Sequence, residues 1–141
     1  MTPAELAKLT ALSQAVQDAD AAKLLSIKAD ETRIRAQLAA LDAQHKQATG
    51  LTMLETLPQR SLGGDMKWQV WVGRRRRDLQ IQLARCLARQ GVARRALQKS
   101  FGKRTALGQI HAELGAQKSQ DNRTRQDDGI VSLGVLQHGR P

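Results

Sequence analysis

Apolar side chains recur through the first third of the chain at Leu6, Leu9, Val16, Leu24, Ile27, Ile34, Leu38 and Leu41, mostly three, four or seven residues apart. That spacing turns one stripe of a helix toward a second helix, as in a coiled coil. Met1-Thr2-Pro3-Ala4-Glu5 supplies a start, with Thr2 as the cap and Pro3 at the first helical position. Glu5 is then placed to reach back to the backbone of the cap. Pro58 is the next proline, so a single helix can run from about residue 3 to residue 49, where Gly50 offers a natural stop. Between Val16 and Ile27 the step is eleven residues, with Asp20 near the seam, and this predicts a local unwinding of the supercoil. Glu31 and His45 also fall on the seam.

Residues 50–64 gather three glycines and a proline between two helical patterns and are read as the connection. Leu51, Met53, Leu54, Leu57 and Leu62 make this connection apolar enough to pack over the end of the hairpin. Asp65 can cap a second helix, expected over about 65–118, whose seam reads Val72, Leu79, Leu83, Cys86, Ala93, Leu97, Leu107 and Leu114. Gln90, Ser100, Arg104 and His111 fill the remaining seam positions, which makes this the weaker stripe. Gly91, Gly102 and Gly108 each cost the helix roughly 0.8–1 kcal/mol against Ala, so its distal half depends on contacts made elsewhere. From Ser119 to Asp128 the chain is polar without an apolar period, and residues 119–141 are expected to be a flexible tail ending in an apolar cluster, Ile130 to Leu136. The predicted fold is all-α: an antiparallel two-helix coiled-coil hairpin over 1–118 with a disordered C-terminal tail.

Composition supports that fold. Trp68, Trp71 and Phe101 are the large rings of a chain without tyrosine, too few for a broad globular core. Charges interrupt every apolar run, so no stretch approaches the roughly 18 apolar residues of a membrane span. The N-terminus also lacks the pattern of a secretory signal, and a cytoplasmic protein is expected. Cys86 stands alone at a seam position, which reads as a packing thiol.

Charge changes the picture more. Residues 1–49 carry six acidic and six basic side chains, and the connection and tail are each neutral. Residues 65–118 set thirteen Lys and Arg against Asp65, Asp78 and Glu113, so the whole net charge of +10 belongs to the second helix. Arg74, Arg75, Arg76 and Arg77 cover every side of one turn; Arg85 with Arg89, and Arg95, Lys99 and Lys103, follow at four-residue spacing. Like charges so placed repel, each pair costing an isolated helix a few tenths of a kcal/mol. Acids of the first helix, including Asp18, Asp20, Asp30, Glu31 and Asp42, can offset part of that field, and a negatively charged partner would relieve the rest. With Trp68 and Trp71 beside it, the arginine stretch is the candidate partner-binding surface.

Nothing points to catalysis or to a cofactor. His45, His111 and His138 are far apart and lack metal-ligand spacing, and no glycine-rich phosphate loop or nucleophile elbow occurs.

Trp68-Gln69-Val70-Trp71 at the opening of the second helix, the two long helical patterns, the chain length and the basic balance together resemble the FliJ family of flagellar export stalk proteins and its YscO-type injectisome relatives. The resemblance covers roughly residues 4–118. It implies a non-enzymatic coiled coil that couples an export ATPase to the export gate and handles export chaperones, working at the inner face of the cell membrane without entering it. It further implies that residues 4–12 and 105–118 enter the ATPase ring and that the start of the second helix faces the gate. Where that comparison leads one to expect apolar gate contacts, this chain has Arg74–Arg77. The alternative reading is nucleic-acid binding along the basic helix, with phosphate contacts that weaken steeply with salt. That reading lacks aromatic residues along the strip for base stacking.

Overall fold

The structure, a computed structural model, describes residues 1–54 and 62–138, with side chains at 1–50 and 66–137. It is all-helical among those residues: α1 spans Pro3–Leu54 and α2 spans Leu62–His138, and the two pack against each other antiparallel. The start of α1 is the expected capping box, the Glu5 amide donating to Thr2 Oγ1 at 3.3 Å and the Thr2 amide donating to Glu5 Oε2 at 3.0 Å.

The helix ends differ from the expected ones. α1 runs past Gly50 to Leu54, because Gly50 adopts ordinary helical backbone and Leu51, Met53 and Leu54 are good helix formers. α2 begins at Leu62, so Asp65 lies inside its first turn rather than capping it. Of the expected connection, residues 55–61 lie outside the described residues. At the far end α2 continues through the segment expected to be a flexible tail, as helix to His138. No proline interrupts that stretch, and polar side chains such as Gln, Arg and Lys lose little entropy in a helix.

The chain divides into two compact units, Asp18–Gln98 and the pair of segments Met1–Gln17 and Lys99–Pro141. In the first, Leu24, Ile27, Ile34 and Leu41 of α1 close on Val72, Leu79, Cys86 and Ala93 of α2, with Leu38, Leu83 and Leu97 packed at the margins. Leu79 is 1% exposed, and complete burial of such a side chain contributes about 1.5–3 kcal/mol. Cys86 is fully buried and its Sγ donates to the Ile27 carbonyl at 3.3 Å, so the thiol serves as packing.

In the second unit Leu6 and Ser100 are buried and Leu107 is half-buried. Leu9 and Val16, expected on the seam, are exposed; Ser13 and Gln17 are the half-buried positions instead. The reason lies in the spacing. Ser13, Gln17, Asp20, Leu24, Ile27, Glu31, Ile34, Leu38, Leu41, His45 and Ala48 alternate steps of four and three without a break, and all are buried or half-buried. α1 thus keeps a regular heptad by accepting polar residues, and the unwinding predicted between Val16 and Ile27 is not needed. On α2 the expected seam positions from Val72 to Ser100, and Leu107, are buried or half-buried, whereas Arg104, His111 and Leu114 are exposed.

Candidate protein-docking face

Trp68 and Trp71 lie one turn apart on α2 in the Asp18–Gln98 unit, and their rings stack with centroids 5.2 Å apart and 20° between planes. They are 37% and 49% exposed, so each still offers a substantial face to solvent. Trp71 also borders a shallow depression with Ala40, Leu41, Arg75 and Leu79, which ties the pair to the hairpin.

The arginine run is split in two by the geometry of the helix. Arg76 occupies a seam position and is half-buried; its Nη2 donates to Asp42 Oδ1 at 2.6 Å. Arg75 is half-buried beside Trp71. Arg74 and Arg77 are exposed, as are Arg85 and Arg89. Arg89 approaches Asp30 at 3.8 Å, but Arg89 is largely in water and Asp30 partly so, and such a pair adds little. Across the hairpin, then, Asp42 and Asp30 offset part of the positive field, while Arg74, Arg77 and Arg85 have no carboxylate within ion-pair distance among the described residues.

Two further residues join this face. Val70 and Ile81 are 53% and 45% exposed, and with Arg74, Arg77 and Arg85 they recur at steps of four and three along the side of α2 turned away from the seam. The outward stripe therefore alternates apolar and cationic side chains, with Trp71 on its flank. The seam phase was the signal for them: once Val72, Leu79 and Cys86 are assigned to the core, apolar residues half a turn away have no intramolecular use.

On the opposite, seam side of α2 a polar cluster locks the two helices. Gln90, 3% exposed, donates through its side-chain amide to Glu31 Oε2, and Arg35 Nε donates to Glu31 Oε1 at 2.9 Å. The Gln90 amide first, and the Arg35 guanidinium second, hold the Glu31 carboxyl below the usual carboxylate range. A groove of ≈ 530 Å³ runs along the same unit, lined by Ile27, Val92, Ala93, Asp20, Lys23 and Arg89 among others. Such an arrangement can hold an amphipathic surface, and its lining carries both signs of charge. Among the described residues no group of His, Cys, Asp and Glu is placed to hold a metal ion, and no helix is long and apolar enough to cross a membrane. No known family model, curated protein or solved structure matches the chain.

Proposed function

We propose that this chain is a non-enzymatic coiled-coil stalk of a flagellar-type type III export apparatus, coupling an export ATPase to the export gate from the cytoplasmic face of the membrane. The observation that carries the reading is the outward stripe of α2. Exposed Val70, Trp71 and Ile81 interleaved with Arg74, Arg77 and Arg85 match a protein surface that is apolar and acidic at once. The experiment is capture of purified export ATPase and of the gate's cytoplasmic domain by the full-length chain. Arg74→Glu with Arg77→Glu, or Trp68→Ala with Trp71→Ala, is expected to weaken capture roughly tenfold or more, the effect of losing interface residues worth about 2 kcal/mol. Unchanged capture removes this face from the mechanism; no capture by the unaltered chain removes the export reading itself.

The excess charge of residues 65–118, with Arg74, Arg77, Arg85 and Arg95 exposed, favours a second reading as a nucleic-acid-binding coil. Against it, the two indoles stack on each other instead of standing apart as base platforms. Duplex or single-strand binding with a log–log salt slope of roughly −0.9 per phosphate contact would favour this second reading over the first.

A further inference from the structure

The side of α2 turned away from α1 keeps one character over residues 70–95. Arg74, Ile81, Ala88 and Arg95 each follow a buried seam residue, Val72, Leu79, Cys86 or Ala93, by two positions. Two residues turn the helix through about 200°, so this row stands opposite the seam, and all of it is exposed. Val70 and Arg77 border the row on one side; Trp71, Asp78, Arg85 and Val92 border it on the other, and each of them is exposed. From Val70 to Arg95 the strip rises about 38 Å at 1.5 Å per residue. Asp78 is its one acid, set against Arg74, Arg77, Arg85 and Arg95. Asp42 and Asp30 of α1 approach Arg76 and Arg89, outside these rows, and leave the cationic excess in place.

Two chemistries limit what can meet such a strip. Arginines alone would suit any array of phosphates, but Val70, Ile81 and Val92, 53%, 45% and 64% exposed, gain nothing from a nucleic-acid backbone. The boundary between lipid headgroups and acyl chains offers both kinds of contact. Its phosphates take the guanidinium groups, and the apolar layer just below takes aliphatic side chains and indoles, which gather at that depth. Arginine stems can lie along the apolar layer while the charge stays at headgroup level. The protein contact proposed above uses the end from Trp68 to Arg85. Ala88, Val92 and Arg95 carry the same pattern onward, and a plane meets the whole strip.

We infer that the outward side of α2, from Val70 to Arg95, is a peripheral membrane-binding face that lies along the surface of a bilayer containing anionic phospholipid. Such lipid binding does not depend on the export reading.

Trp68 and Trp71 are the chain's two tryptophans, so their emission reports on this part of α2 alone. With vesicles of phosphatidylcholine and phosphatidylglycerol in equal parts, at low ionic strength, the full-length chain is expected to sediment with the lipid and its emission to move to shorter wavelength. With phosphatidylcholine alone it should do neither. Arg77→Glu with Arg85→Glu, which breaks no ion pair among the described residues, should lower vesicle partitioning about tenfold or more with unchanged helicity. Lys28→Glu with Lys46→Glu makes the same change in net charge at exposed positions of α1 and should leave most of the partitioning intact. Equal losses from the two pairs would mean attraction by net charge alone and would overturn the proposal. So would an unshifted emission with the anionic vesicles, or the same shift and affinity with duplex DNA at equal phosphate concentration. No partner protein is present in these mixtures, so their failure leaves the export reading where it stands.

Discussion

Gln90 and Glu31 place a polar pair where the coil would otherwise bury two aliphatic side chains, and the Glu31 carboxylate accepts from both Gln90 and Arg35. Because folding lowers the Glu31 pKa, the stability it contributes is fully present above its unfolded value of about 4.3 and is lost as pH falls through the lower folded value. The neutral amide in Glu31→Gln has no such titration. Thermal melts at pH 7 and pH 3 should therefore show a larger loss on acidification for the unaltered chain than for Glu31→Gln, whose melting at pH 7 should already be lower. An equal loss in both would remove Glu31 from the acid response. A polar pair inside a seam also discriminates against shifted registers, since a slip of one heptad would bury either partner without the other.

On the helices, the central heptads were legible because Leu24 to Leu41 and Val72 to Leu107 repeat apolar residues faithfully enough to set the phase. Leu9 and Val16 were misjudged for a physical reason: apolar identity was weighed above phase, whereas a helix already committed by Leu24, Ile27 and Ile34 cannot rotate to bury them and takes Ser13 and Gln17 instead. The end of α2 lies further along than the expected residue 118. Low apolar content from Ser119 to Asp128 argues against a packed core, not against helical backbone, and with no proline to stop it the helix carries on to His138. Of the candidate site, Trp68, Trp71, Arg74, Arg77, Arg85 and Arg89 are exposed as a binding surface needs, while Arg76 turned out to hold the hairpin together through Asp42. Glycines inside α2 give a prediction at this level. A Cβ added at Gly102 or Gly108 meets no heavy atom within 4 Å, and both residues are exposed and helical. Gly102→Ala and Gly108→Ala should each raise unfolding free energy by about 0.5–1 kcal/mol in urea denaturation. No gain at either position would mean that these glycines are not held in helix in solution.

Taken together, the chain separates two kinds of interaction along one continuous helix. The basic stretch of α2 keeps Arg76 for the hairpin and presents Arg74, Arg77 and Arg85 outward, whereas the neutral stretch after Lys118 presents apolar residues and balanced charge. Salt should therefore act on one and not on the other. Raising ionic strength screens the cationic face within a Debye length of about 8–10 Å and weakens acidic partners there, but does not weaken apolar association at the exposed Ile130–Leu136. Cys86 adds a last consequence. Its sulfur has no access to solvent while α1 and α2 are closed over it, so its rate of alkylation counts the moments at which the two strands of the hairpin come apart. The protein carries its own clock for breathing, readable without any added probe site.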